Sequence, residues 1–312
     1  MKKLKRFLVW SAIIFIVVLA FGSVYMLNIS IKSKVEPNDE KSAYEYITKH
    51  DYLKSWVDSL RSVKALKDTF IISSDNEKLH ALYVESPVKA KKTALIIHGY
   101  TDNSIRMLMI GYLYHKKLGF NILLPDLRGQ GKSDGKYIQM GWKDRLDILK
   151  WIDVVQAKFG SDNRIVIHGI SMGAATTMMT SGETLDKHVK CFVEDCGFTS
   201  VWDEFSYKLK KEYHMPSFPL LYTTSLYCKL KLGWSFGEAS AINQVKKCRL
   251  PMFFIHGGSD TYVPTKMVYE LYQAKLGVKE LWITPKVTHA QSYWDYTDEY
   301  TEKTCKFVSK YI

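Results

Sequence analysis

Three regimes of hydrophobic patterning follow one another along this chain. Residues 7–31 carry no charged side chain, behind a basic head of Lys2, Lys3, Lys5 and Arg6. A helix of that length crosses a hydrocarbon core of ~30 Å at ~1.5 Å per residue. Residues 42–63 then place Tyr44, Ile47, Tyr52, Trp56, Val57 and Leu60 at mixed helical spacing, which predicts a helix lying on the domain. Beyond residue 67, short aliphatic runs alternate with amphipathic stretches.

The runs at 69–72 and 79–84 flank the polar segment Ser73-Ser74-Asp75-Asn76-Glu77-Lys78 and predict an antiparallel hairpin. From residue 93 the rhythm becomes strand, loop, helix. Strands are predicted at 93–97, 120–124, 164–168, 191–194, 252–255 and 281–284, and helices at 105–117, 142–159, 172–181, 265–276 and 294–311. Aliphatic strands alternating with helices imply an α/β fold whose mostly parallel central sheet is covered on both faces. Residues 198–241 break the rhythm: they are rich in Tyr, Phe, Trp and Leu, with Pro216 and Pro219. That interval predicts a short helical cap over the carboxyl edge of the sheet, where ligands bind in such folds. The expected organisation is an N-terminal membrane segment at 1–32, a polar linker with Pro37 and a helix at 33–66, and an α/β domain at 67–312.

The N-terminal segment has two readings, an uncleaved anchor and a cleaved signal peptide. Ala20-Phe21-Gly22 could serve as a cleavage site, but the apolar run continues past it to Ile31 and exceeds a signal h-region of roughly 7–15 residues. An anchor is therefore expected. Its four cations on the amino side, against Lys32 and Lys34 on the other, keep the N-terminus cytoplasmic and place the α/β domain outside. Cleavage would make the protein secreted instead.

Charge and cysteine content change this picture little. The net charge of +12 concentrates between Glu204 and Leu250, with eight Lys/Arg against three Glu. This describes a solvated basic face or attraction to anionic lipid. No nucleic-acid motif accompanies it, so no nucleic-acid partner is expected. The five cysteines have no zinc-like spacing, and neither a metal nor a cofactor is expected. An odd count sits awkwardly with an oxidising compartment, and a bridge between Cys191 and Cys196 is not expected.

Candidate chemistry centres on Gly169-Ile170-Ser171-Met172-Gly173. This G-x-S-x-G pentapeptide stands where a predicted strand hands over to a helix, a tight turn that lifts a serine Oγ clear of the sheet. A serine hydroxyl is a weak nucleophile and needs a base. His289 lies in Pro285-Lys286-Val287-Thr288-His289-Ala290, after the last predicted strand and at the same sheet edge as Ser171. The acid that orients it is Asp260, in Gly257-Gly258-Ser259-Asp260 after strand 252–255, with Asp195 as its rival. Two backbone N–H groups are wanted for an oxyanion; Met172 supplies one and Tyr100, in His98-Gly99-Tyr100, the other. Gly129-Gln130-Gly131-Lys132-Ser133 looks like the end of a phosphate-binding loop, but Asp126 stands where that motif needs glycine.

Taken with the H-G turn at 98–99 and the D-x-R-G-x-G-x-S loop at 126–133, these motifs resemble an α/β-hydrolase of the serine-hydrolase superfamily, over about residues 67–312. In style they are similar to bacterial membrane-anchored esterase or peptidase members with a short cap. Tyr100 departs from the H-G-G-G pattern of one lipase and esterase branch. The resemblance implies acyl transfer on a small-molecule carboxylic ester, with an amide or short peptide as the alternative substrate. A catalytically dead, membrane-tethered binding module is the reading from another class. It would be marked by a missing catalytic residue, and all three positions are filled.

Overall fold

The computed structural model describes residues 2–35 and 39–312. Residues 36–38, with Pro37 of the expected linker, lie outside the described residues. The chain begins with a single helix, α1 (Lys2–Ile31), of mean hydropathy 2.6 over its most apolar window, a candidate membrane span by length and composition. The helix has two parts. Its large apolar side chains from Leu4 to Phe21 are exposed except for the half-buried Leu19, whereas Ser23, Leu27 and Ile31 are buried. Their spacing of four puts these three on one face, which packs against the domain.

The segment predicted as one helix at 42–63 is two helices, α2 (Asp39–Ile47) and α3 (Asp51–Ser62). At the break, the Thr48 hydroxyl donates back to the Tyr44 carbonyl at 2.7 Å, and His50 is extended (φ −98°, ψ 115°) where α3 begins. Local hydrogen bonding of this kind competes with helix propagation.

Eight strands follow: β1 (Lys67–Ile72), β2 (Lys78–Val84), β3 (Lys92–Ile97), β4 (Asn121–Pro125), β5 (Arg164–Ile170), β6 (Val189–Asp195), β7 (Met252–Gly257) and β8 (Lys279–Thr284). They form one sheet in the order β1-β2-β4-β3-β5-β6-β7-β8. The β1–β2 hairpin and the β2–β4 pair are antiparallel, and every other pairing is parallel. β3 and β5 are buried along nearly all their length, as strands covered on both faces must be. The sheet separates two cores, one containing Leu123, Ile167 and Phe254, the other Ile122, Val166 and Ile255.

The connecting helices are α4 (Leu108–Tyr112), α5 (Asp144–Phe159), α6 (Met172–Thr180), α7 (Val201–Tyr213), α8 (Leu220–Leu232), α9 (Ala241–Val245), α10 (Lys266–Ala274), α11 (Ser292–Asp295) and α12 (Thr297–Ser309). The expected helix at 105–117 is instead a short α4 that widens into a π-helical turn at Leu113–Lys117. The one expected at 294–311 is broken at Tyr296 (φ −132°, ψ 44°) into α11 and α12. The cap interval is filled by α7 and α8. α7 is capped by the Ser200 hydroxyl, which accepts from the Asp203 amide, and α8 runs alongside the end of α1. The five cysteines are free thiols.

The D-x-R-G loop is tied down by its charges. The Asp126 carboxylate accepts hydrogen bonds from the Ser104 and Lys132 amides at 2.6 and 2.9 Å and meets His80 Nδ1 at 2.7 Å. The buried Arg128 guanidinium forms a two-pronged bond with Asp147 at 2.6 and 2.9 Å and also reaches Asp75. Each of these buried charges has a partner, the condition for burying it without a large penalty.

Candidate active site

Ser171 occupies the junction between β5 and α6 with φ 57° and ψ −120°, backbone angles that a non-glycine residue adopts only under strain. Its amide is held by the Asp195 carbonyl at 2.8 Å. The flanking glycines are required sterically. A Cβ on Gly173 would collide with the Ile97 and His98 carbonyl oxygens, and one on Gly169 with the Gly173 carbonyl. The turn is thus pressed against the end of β3, and Ser171 projects at the carboxyl edge of the sheet.

The three residues picked from the sequence are brought together there. Ser171 Oγ lies 2.8 Å from His289 Nε2, and His289 Nδ1 lies 2.7 Å from Asp260 Oδ2. The loops after β5, β7 and β8 supply them, and β7 and β8 are neighbours in the sheet. Asp260 Oδ1 accepts from the Tyr262 and Val263 amides at 2.8 and 3.0 Å, so its carboxylate is fixed from both sides. Burial opposes its ionisation, but hydrogen bonds with His256 and His289 outweigh that and hold its carboxyl well below the usual range. A carboxylate so held stays charged and can favour one orientation of the imidazole.

Asp195, the rival acid, makes no side-chain hydrogen bond or ion pair with His289 among the described residues. It is buried behind the site, and burial first of all pushes its carboxyl up to about 7.

The Gly99-Tyr100 turn runs beside the serine. A Cβ on Gly99 would sit 3.5 Å from the Ser171 Cβ, so the turn that carries Tyr100 passes directly beside Ser171. Met172 follows Ser171 as the first residue of α6, where a helix leaves its N–H groups unpaired and its dipole favours negative charge. His98, at the start of the turn, serves the structure instead, since its Nε2 accepts from the Leu127 amide at 2.9 Å. His168 is buried between the Tyr114 and Tyr300 hydroxyls, and burial lowers its imidazole to about 3.

Cys196, Asp260 and His289 bring possible metal-ligand atoms within 4.8 Å of one another. They do not fit a metal. Two of the donors already bond each other, and burial holds the Cys196 thiol far above its ordinary range, in the protonated form that does not ligate.

His256, a histidine at a strand end ahead of glycine, stands beside the acid as a supporting group, while two other neighbours of the site, Tyr262 and Lys208, escaped sequence reasoning. His256 Nε2 stands 3.3 Å from Asp260 Oδ2, the Tyr262 ring packs on His289 with centroids 4.8 Å apart, and Lys208 lies over the Tyr262 ring. Above Ser171 is a cavity of about 330 Å³ whose walls come from α7, α8 and the end of α1. Met26, Ile29 and Ser30 of α1 line it, and the Tyr100 hydroxyl donates to the Ser30 carbonyl at 2.6 Å. One signal for this lay in the chain: the apolar run is longer than a bilayer crossing needs.

Residues 108–312, which include Ser171, Asp260 and His289, match the prolyl oligopeptidase family. The chain belongs to that family. It is therefore an α/β-hydrolase, and a serine-hydrolase enzyme is what the family and its structural neighbours support. The uncharacterized protein YqkD of Bacillus subtilis is 29% identical over 98% of this chain and 97% of its own. The uncharacterized protein YfhR of Escherichia coli is 25% identical over 76% of this chain and 78% of its own. Among solved structures, the Pyrococcus furiosus esterase Pf2001 is 26% identical, with TM-score 0.64, over 81% of this chain and 95% of that one. The Pyrococcus horikoshii acylaminoacyl peptidase shares the fold at 16% identity and TM-score 0.57, over 78% of this chain and 41% of that one.

Proposed function

We propose that this hydrolase cleaves a carboxylic ester through an acyl-enzyme, with Ser171 as nucleophile, His289 as general base and Asp260 as the acid that orients it. The hydrogen-bonded line from Ser171 Oγ through His289 to Asp260 Oδ2, at 2.8 and 2.7 Å, carries this reading. His289 Nε2 takes the Ser171 proton as Oγ adds to the substrate carbonyl. The Tyr100 and Met172 amides receive the oxyanion, and His289 returns the proton to the departing alkoxide. Water, deprotonated by the same imidazole, then releases the acid and restores the serine. No step calls for a metal or a cofactor.

An amide or short peptide is the second substrate reading, favoured by the family's name and by the acylaminoacyl peptidase among the neighbours. The ester is preferred because the neighbour named as an esterase shares 26% of the sequence and matches 95% of its own length. α1 is read as a retained anchor with the hydrolase domain outside the cytoplasm. Retention is supported by the apolar run of α1, which continues past Ala20-Phe21-Gly22 to Ile31 and exceeds a signal h-region.

The test is labelling of the full chain by a fluorophosphonate, beside Ser171→Ala and His289→Ala. Labelling that depends on Ser171 is expected, and its absence from the wild-type protein would refute the hydrolase reading. p-Nitrophenyl esters of rising chain length against aminoacyl amides then decide between ester and amide. Protease shaving of intact spheroplasts tests the orientation.

A further inference from the structure

α1 and α8 lie side by side. Leu220 of α8 stands against Gly22, and the Ser23 hydroxyl donates to Thr223 Oγ1 at 2.7 Å. Further along, Lys231 lies over the Tyr137 ring, whose hydroxyl donates to Asn28 at 3.2 Å. The first turn of the cap helix is therefore level with Gly22 and Ser23 of the anchor.

That level can be compared with the bilayer. A hydrocarbon core of ~30 Å takes about twenty helical residues. Counted from Phe7, the first residue after the basic head, the span ends near Met26, which puts Gly22 and Ser23 about 5 Å inside the hydrocarbon edge. If the head is drawn in and the span starts at Leu4, it ends near Ser23, still level with Thr223. In both placements the start of α8 reaches the apolar phase. The surface it presents suits that solvent. Tyr222, 55% exposed, and Leu226, 59% exposed, stand four apart on one stripe of α8, and Phe218, 71% exposed in the turn before the helix, packs edge-on against the Tyr222 ring with centroids 5.7 Å apart. In water such a stripe is costly; beside an anchor helix it is continuous with lipid. Lys32 and Lys34, both exposed just past the end of α1, fall at headgroup level, where anionic lipid attracts them.

The cavity above Ser171 extends to this same level, since Met26 and Leu220 line it. Its walls differ in character. α1 and α8 present Met26, Ile29 and Leu220, whereas α7 presents Glu204, Lys208 and Glu212 at a spacing of four. The side formed by the anchor and the start of α8 is apolar, and the α7 side sets the ionisable groups Glu204, Lys208 and Glu212 among Phe205 and Leu209.

We propose that the start of α8 is seated in the bilayer beside α1, and that the substrate is a long-chain ester of a membrane-resident amphiphile, which reaches Ser171 from the lipid. This rests on the hydrolase and anchor readings above. The substrate chain lies along Met26, Ile29 and Leu220, and the polar portion faces α7. Hydrolysis adds the elements of one water: hydroxyl to the acyl carbon and a proton to the alkoxide, releasing a fatty acid and an alcohol. The seating matters because drawing a chain from lipid through water exposes each methylene to water at a free-energy cost, whereas a pocket that opens at the hydrocarbon edge avoids that barrier.

The experiment uses the full chain in phosphatidylcholine–phosphatidylglycerol vesicles, with 4-methylumbelliferyl oleate dissolved in the bilayer and p-nitrophenyl butyrate in the water. Phe218→Ser and Leu226→Glu, on exposed residues outside the cavity, should slow the oleate ester about tenfold, the equivalent of losing one large apolar side chain from lipid. Butyrate turnover and Ser171 labelling should not change. Equal rates for wild type and variants on the oleate ester would overturn the proposal, as would an equal loss on both esters. Wild-type protein supplies a test without a variant. Oleate ester in separate vesicles should be hydrolysed far more slowly than ester sharing the enzyme's vesicle, and equal rates would show access through water. Carbonate extraction of the protein would remove the anchor reading and this proposal with it. Absence of Ser171 labelling would instead remove the hydrolase reading.

Discussion

The Tyr100 hydroxyl donates to the Ser30 carbonyl oxygen across 2.6 Å, so one residue joins the turn beside Ser171 to the end of the N-terminal apolar helix. Its amide belongs to the proposed oxyanion site, and its side chain holds that turn against α1. Tyr100→Phe keeps the amide and removes the tether. A hydrogen bond of about 1 kcal/mol net corresponds to roughly a fivefold effect. The expected result is a fall of that size in kcat/KM for a soluble ester, with folding retained; an unchanged value would mean that the turn is held without the tether.

Ser171→Ala and His289→Ala should each lower ester turnover by about 10⁴-fold or more, because nucleophile and base act as one unit. The double variant should be little worse than either alone. Turnover of p-nitrophenyl butyrate measures this, and independent, additive losses would contradict the shared proton transfer.

Asp260 and Asp195 separate the acid from its rival. Asp260→Asn should cost about 10⁴ in kcat, since the amide favours the wrong imidazole tautomer. Asp195→Asn leaves the Asp260 carboxylate on His289 Nδ1 and should keep most of the activity. A reversed order of effects would transfer the role to Asp195.

Gly173→Ala is a packing test of the serine turn. The new Cβ meets two carbonyl oxygens at the end of β3, and forcing a methyl into such a site costs typically about 1–3 kcal/mol. Thermal unfolding should show a Tm lowered by several degrees, and labelling of Ser171 should slow as the turn is pushed from its place.

Glu204 provides a pH signature. Burial, partly offset by Lys208, raises its carboxyl from the ordinary 4.5 to about 8. Between those two pH values the folded chain keeps a proton that the unfolded chain has released, so stability falls as pH rises through the window. Glu204→Gln should leave Tm nearly unchanged at about pH 4.5 and raise it at about pH 8. Asp260 has the opposite sign: its lowered carboxyl contributes stability that is lost in acid. A Tm difference for Glu204→Gln that does not vary with pH would show that Glu204 is ionised in the folded state.

Local chemistry made much of the site readable in the chain. A serine between two glycines at a strand end can be read without coordinates, because the clash that demands Gly173 arises within the strand-turn-helix unit and its adjacent strand. Asp260 and His289 were legible because a parallel sheet sends the ends of its strands to one edge. Tyr262 was not. Its packing on His289 depends on how two loops fold over each other, which no spacing encodes. The break between α2 and α3 was missed for a related reason, since a mixed apolar pattern does not distinguish one helix from two that turn between them.

The sequence by itself determined the layered α/β architecture, the elbow at Ser171 and the apolar character of the first helix, because each follows from periodicity or from a short motif whose geometry is local. Tertiary structure alone decided that the helix has two uses. Its first turns stay bare, while Ser23, Leu27 and Ile31 pack on the domain and Met26 and Ile29 face the cavity above Ser171. Apolar side chains look alike in a sequence whether they meet lipid, a protein core or a substrate. Only the placement of α8 and Tyr100 against them tells which neighbour each one has.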